Sequence, residues 1–144
     1  MWLAYALGAS AVWGLVYVLS EQLYRHLSVP TVVGIQLLAV AIVAAGIGFF
    51  SGNLHQDLAT LGSSRSLIAI LIGSIAAWVA AEFLIAYSIA GKDATLAGLI
   101  EISYPLFIAL FAYLLFHEAS ITLATAIGGL LIFAGVAVIF FAGA

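Results

Sequence analysis

Five long apolar stretches, separated by short polar connections, account for most of the chain. They cover residues 2–20, 30–50, 66–88, 94–116 and 121–142. A helix needs roughly 20 mostly apolar residues to cross the hydrocarbon core of a bilayer, and only helices and closed barrels satisfy their own backbone there. Each stretch is about that long. The pattern therefore predicts an all-α, polytopic membrane protein with five transmembrane helices in one domain, residues 1–144.

The composition agrees with this class and excludes others. Hydrophobic residues make up 67% of the chain and charged residues 6%, whereas roughly a quarter of a soluble domain is charged. The net charge of -3 is too small to indicate a nucleic-acid partner. Cysteine is absent and the three histidines lie outside the apolar stretches, so we expect no metal site and no cofactor. The lipid bilayer, as the inner or plasma membrane, is the expected environment of this multi-pass chain.

The connections give little information about orientation. Arg25 and Lys92 share one side of the membrane, while Arg65 lies on the other with the N-terminus, so the usual bias of basic residues is nearly absent. Residues 1–20 lack the basic start of a cleaved signal peptide, which favours a retained first helix. The connection at 51–65 is the one long enough for a short surface helix.

The odd number of helices bears on assembly. Five spans with weak orientation bias favour a chain that forms one half of an inverted-repeat transporter. The sequence contains no convincing internal repeat, so the second half would come from another chain. The partner is then an antiparallel second copy or an inverted paralogue.

Two glutamates, Glu82 and Glu101, interrupt apolar stretches. A carboxylate at mid-membrane costs a few kcal/mol, so such residues usually face a bundle interior or a wet cavity. Both are equally far from the turn at Gly91 and Lys92, so an antiparallel hairpin would place them at similar depth and able to share a cavity. We interpret them as a proton-exchange or cation-binding site. The alternative is that each is a protonated or hydrogen-bonded link between helices.

Further residues are candidates for lining that cavity. Pro105 removes the hydrogen bond to the carbonyl of Glu101 and predicts a kink, either a hinge or a static bend. Polar and aromatic residues at helical spacing form a stripe that would cradle an organic cation or else simply pack. The candidate lining residues are Ser10, Trp13, Gly14, Tyr17, Gln36, Ser74, Trp78, Tyr104 and Pro105.

Glycines mark the last apolar stretch. Gly128, Gly129 and Gly135 fall in the run GGLLIFAGV. Small residues at such spacing allow helices to approach closely. The run predicts a dimer interface, with packing inside the chain as the alternative.

Several of these motifs together resemble one family. They are Trp13-Gly14, Pro30, the segment ATLAGLIEISYPLFIALFAYLLFHE at 94–118, and IGGLLIFAGV at 127–136. The chain resembles the EamA-like branch of the drug/metabolite transporter superfamily, in its single-unit, five-helix form, which is related to the small multidrug resistance proteins. The resemblance implies transport of small organic solutes, commonly by proton exchange, by two inverted units. Those related proteins place their essential acid in the first helix, where this chain has only Glu21 at the end, so the roles of Glu82 and Glu101 rest on burial alone.

The functional prediction is a secondary active transporter of a small organic solute, such as a metabolite or a drug-like cation. The alternative is an accessory or assembly subunit that does not transport. An enzyme is not expected, because Asp57 and Asp93 lie in connections and each histidine is peripheral, which leaves no buried pair of aspartates and no buried serine–histidine pair.

Overall fold

Helices form throughout the part of the chain that the computed structural model describes, residues 1–117 and 122–142 without the side chain of Thr125. The described residues contain no strand. The helices are α1 (Trp2–Tyr24), α2 (Val29–Phe50), α3 (Leu54–Ser63), α4 (Arg65–Gly91), α5 (Ala94–Glu101), α6 (Tyr104–Phe116) and α7 (Leu123–Ala142). The predicted all-α class is confirmed.

Four of the described helical stretches are long and apolar enough to cross a membrane. They are Trp2–Tyr24, Val29–Phe50, Arg65–Gly91 and Ala94–Phe116. The last helix adds a shorter apolar stretch, Ala126–Ala142. The predicted start of the fifth span at residue 121 and the acid Glu118 lie outside the described residues. The chain is a polytopic membrane protein.

Large apolar side chains cover the outside of these helices. Trp2 is 78% exposed, Phe50 is 87% exposed and Phe141 is 81% exposed. Burying a side chain of this size away from water is worth about 2 kcal/mol, so such a surface is stable only when lipid covers it. This surface therefore needs a cover other than water, which is the hydrocarbon of the bilayer wherever no partner helix lies against it.

The chain divides into two compact units. The first unit consists of Met1–Val18 and Gly91–Ala144. Within it, α5 packs on α7, and small residues on α5 are buried, with Ala94 and Ala97 at 4% and 3% exposure. Small side chains let helix backbones approach closely, which is the usual way that helices pack in lipid.

The second unit is Leu19–Ala90. Its core consists of Val29 and Val33 of α2 and Ala86 of α4, with Tyr24 and Phe83 packed against them. Helix α2 begins after Ser28 and has a proline in its first turn, where the missing N–H costs nothing. This core holds the end of α1 and the start of α2 against α4.

The predicted kink at Pro105 is present as a break. Helix α5 ends at Glu101 and α6 begins at Tyr104. Across the break, the Ser103 N–H donates to the carbonyl of Ile100, and the Leu106 N–H donates to that of Ser103. Because proline has no N–H, the carbonyl of Glu101 loses its usual helical donor. A carboxylate and a helix end thus coincide within an apolar segment.

Candidate functional site

Glu101 has a hydrogen-bond partner in the first unit. The hydroxyl of Tyr17 on α1 donates to the Oε2 of Glu101, and both side chains are partly buried. The two residues are 84 positions apart, so the pair exists only because α1 and α5 pack together. Hydrogen bonds to a charged acceptor are the stronger ones, and they offset part of the cost of a carboxylate in lipid.

Local packing places the Tyr17 hydroxyl. A Cβ added to Gly98 would lie 3.4 Å from the nearest ring atom of Tyr17. Gly98 is three residues before Glu101, on the same side of the helix. Because Gly98 has no side chain, the ring of Tyr17 has room to lie across α5 with its hydroxyl at the carboxylate of Glu101.

The start of α5 is also fixed. Asp93 is the N-cap residue, and its Oδ1 accepts a hydrogen bond of 2.7 Å from the Leu96 N–H. Such a cap typically stabilises a helix by about 1 kcal/mol. The short helix is therefore held at its beginning by Asp93 and ends at Glu101, which sets the position of the acid.

Trp13 extends this cluster along α1. Its ring meets that of Tyr17 edge to face, with centroids 5.8 Å apart. Trp13 also lines an open groove of about 380 Å³ together with Gly8, Ala9 and Val12. The first unit thus joins a carboxylate, a phenol and an indole in one chain of contacts, of which the indole borders an apolar groove. An organic cation satisfies such a set through charge and ring contacts.

Glu82 lies in a separate polar cluster in the second unit. The side chains of Tyr24 and Ser20 are hydrogen-bonded, and Glu82 is near enough to act electrostatically on Tyr24. The Nε2 of Gln36 donates to the Ser20 Oγ at 3.1 Å. Ser20 is only 3% exposed, so this cluster links three helices around a buried hydroxyl. Each intramembrane acid therefore has a tyrosine of α1 nearby.

The remaining predicted lining residues lie on exposed surfaces of their own units. Ser74 and Trp78 are exposed on α4, and the Ser74 Oγ donates to the carbonyl of Leu71 in the same helix at 2.8 Å. Tyr104 is 55% exposed. Exposed residues elsewhere in the predicted set are Ser10, Gly14 and Pro105. Because Glu82 and Glu101 belong to different units, a cavity common to both stays a prediction.

The three predicted interface glycines differ in their surroundings. A Cβ on Gly129 would lie 2.4 Å from the Leu106 Cδ2, so this glycine packs against α6 within the chain. Gly128 and Gly135 have nothing within 4 Å of that position. The space beside these two is open, and their place in a dimer interface stays a prediction.

Sequence reasoning missed Gly98 and Leu106, which lie against Tyr17 and Gly129 respectively. Both are uncharged, and nothing in their local pattern marks them as such neighbours. Ser20 and Tyr24 lie at helical spacing with Tyr17 on α1, a signal that could have paired them with an acid.

The described residues contain no group of three or more metal-ligating side chains.

Two observations now define the class of this protein. It is an integral membrane protein with apolar helices of spanning length, and it carries two carboxylates within those helices, one of which is hydrogen-bonded and lies at a helix break. The chain matches the EamA-like transporter family over residues 1–141 and belongs to that family. No curated protein and no solved structure matches it. Its general role is membrane transport.

Proposed function

We propose that this protein is a secondary active transporter that exchanges protons for a small organic solute, with a metabolite or drug-like cation as the preferred class. The observation that carries the proposal is the hydrogen bond from Tyr17 to Glu101 at the broken end of α5. Structural packing needs neither an acid nor a helix break at that position. Residues of this kind inside membranes are usually functional.

A proton and a cationic solute compete for the negative charge of Glu101, and this competition couples their transport. An ionised Glu101 is unfavourable in lipid by a few kcal/mol, and either a proton or a bound cation removes that cost. The two cannot neutralise the same carboxylate at once, so binding of a cation releases the proton. Tyr17 donates to the carboxylate in the absence of the solute, and Trp13 offers a ring to the arriving cation.

Glu82 is proposed as a second proton-binding residue. Its cluster with Tyr24, Ser20 and Gln36 is polar and partly buried. Hydrogen-bonded groups of this kind can hold a proton or a polar solute group at low cost. The exposed residues Ser74 and Trp78 would line the transport cavity once a second chain covers them.

That second chain is proposed to be an antiparallel copy or an inverted paralogue. One chain supplies five apolar helical segments, and inverted-repeat transporters need two such units. The three Lys and Arg residues give little orientation bias. An assembly of this type would operate in the inner or plasma membrane, and no catalytic activity is proposed for it.

Solute-driven transport in vesicles tests the proposal. The purified protein is placed in liposomes that enclose a pH-sensitive dye, and proton movement is recorded on addition of organic cations, amino acids and neutral metabolites. Glu101→Gln is expected to lower the solute-driven proton flux at least tenfold and Glu82→Gln to lower it as well. Glu21→Gln is the matched control, because Glu21 pairs with Arg25 at 2.9 Å at the end of α1 and should leave transport intact.

The alternative is an accessory or assembly subunit without transport of its own. It predicts that the wild-type protein gives no proton flux with any solute and that both glutamates can be replaced without loss in the assembled complex. Full transport activity in the Glu101→Gln variant would show that Glu101 is not the coupling site.

A further inference from the structure

Helix α3 has two faces of different character. Leu54, Leu58 and Leu61 recur at spacings of four and three, which places them on one side of the helix. Gln56, Thr60 and Ser63 repeat the same spacing on the opposite side. No residue of α3 is buried in the structure, and Leu58 is 57% exposed. The leucine face is therefore left open by the described chain.

The polar face needs no further partner within the protein. The Thr60 Oγ1 donates to the carbonyl of Gln56 at 2.9 Å, and the Ser63 Oγ donates to that of Thr60 at 2.7 Å. These hydroxyls are bonded along their own helix. The face is suited to water, which leaves the leucines as the side that requires cover.

Both ends of α3 are tied to membrane-spanning helices. Three residues separate it from the end of α2 at Phe50, and only Ser64 separates it from α4. Gly52 takes the left-handed backbone at φ +75°, which lets the chain turn sharply after α2. Ser64 is extended, and its Oγ accepts from the Leu67 N–H at 3.3 Å. Helix α3 is thus held at the level where two spans leave the bilayer.

The leucine face is turned toward the membrane side. Leu54 lies beside Gly48 of α2, so that a Cβ added there would be 3.9 Å from the Leu54 Cδ1. Gly48 is within the span, two residues before its end. The leucine at the start of α3 therefore points back along α2 rather than away from it.

We propose that α3 lies in the membrane interface, with Leu54, Leu58 and Leu61 in the upper acyl region and Gln56, Thr60 and Ser63 in water. Amphipathic helices adopt this position when an apolar face is buried at the headgroup boundary. The occupant of the face is lipid, because the surface is continuous with the lipid-covered sides of α2 and α4. The helix fixes the depth of both spans.

Apolar contact, not charge, holds α3 in this position. Within the helix the only Asp, Glu, Lys or Arg residue is Asp57, so it lacks the lysines and arginines that draw amphipathic helices to anionic lipid. The position of α3 is therefore expected to be the same in neutral vesicles and in vesicles with anionic lipid.

Spin labels on single cysteines test the proposal. The chain has no cysteine of its own, so Leu58→Cys and Gln56→Cys can be labelled in the full protein reconstituted in phosphatidylcholine vesicles. Collision with oxygen, which concentrates in lipid, is compared with collision with a water-soluble nickel complex. The label at 58 is expected to favour oxygen severalfold, and the label at 56 to favour nickel. Leu61→Cys and Thr60→Cys provide a second pair, in case one label disturbs insertion.

The outcomes are distinct. Opposite preferences at 58 and 56, unchanged when a third of the lipid is anionic, support the interfacial position. Nickel access at both sites would place α3 in water and overturn it. A label at 58 shielded from both reagents, with a second spin within about 20 Å, would show that another copy covers the leucines and would also overturn it.

Discussion

Tyr17 connects the two chemical features of the first unit. Its hydroxyl donates to Glu101, and its ring meets Trp13 and lies over Gly98. The residue therefore both stabilises the acid and positions it within the first unit. Loss of the hydroxyl separates these roles, because the ring and its packing remain.

Tyr17→Phe is expected to lower the free energy of unfolding in detergent by about 1 kcal/mol, which is typical of a hydrogen bond between membrane helices. It should also lower transport more than this small loss of stability explains, because the carboxylate loses a donor. Unfolding curves and solute-driven proton flux into vesicles measure the two effects. Tyr5→Phe is the control, since Tyr5 lies on the same helix and is 76% exposed. Equal transport by both variants would assign Tyr17 to packing alone.

At the level of single residues, the sequence indicated which side chains are unusual but not which side chains they contact. Glu101 and Tyr17 each stand out, since one is a charge in an apolar stretch and the other belongs to a polar stripe on α1. Their pairing depends on the packing of α1 on α5, and contacts 84 residues apart leave no local trace. The same holds for Ser20 and Gln36 in the second unit.

Among the elements, the break between α5 and α6 was the most predictable feature. Proline chemistry alone dictates the lost hydrogen bond at Glu101, so the sequence predicted its position. The short surface helix in the connection at 51–65 was also predicted, and it is present as α3. The packing of α7 was not predictable, because a glycine-rich face can form either an interface between chains or contacts within one chain.

The contact between Gly129 and Leu106 gives a test at this level. Gly129→Ala is expected to destabilise the protein by about 1 to 3 kcal/mol, because its Cβ would overlap the Leu106 side chain and overpacking has costs of that size. Leu106→Ala removes the overlapping atoms at a cost of its own, so the loss in the double variant should be smaller than the sum of the two single losses. Thermal unfolding of the single and double variants measures it. Additive losses would mean that the two residues do not meet.

At the scale of the whole molecule, the chain divides into two compact units. Each unit holds one intramembrane acid, and each acid lies near a tyrosine of α1. Much apolar surface remains exposed in the chain, and composition predicted that it would face lipid. Which part of it faces a second copy was not predictable, since lipid and partner helices favour similar side chains.

Gly128 and Gly135 provide the test of assembly. They are seven positions apart on one face of α7, with open space beside them. Gly135→Leu, alone or with Gly128→Leu, is expected to reduce the dimer fraction in detergent at least fivefold without changing monomer helicity. Ala137→Leu adds the same bulk to the opposite, exposed face and should leave the dimer unchanged. Cross-linking and light scattering measure the populations. An unaltered dimer in the glycine variants would place the interface elsewhere.

The central claim is that solute and proton compete for an intramembrane carboxylate. The most direct measurement is proton release from the purified, detergent-solubilised protein on addition of organic cations, amino acids and neutral metabolites. The wild type is compared with Glu101→Gln and Glu82→Gln. Release by the wild type that is lost in Glu101→Gln and reduced in Glu82→Gln is the expected result. Solute binding with an unchanged proton count in all three proteins would contradict proton exchange and return both glutamates to a role in packing.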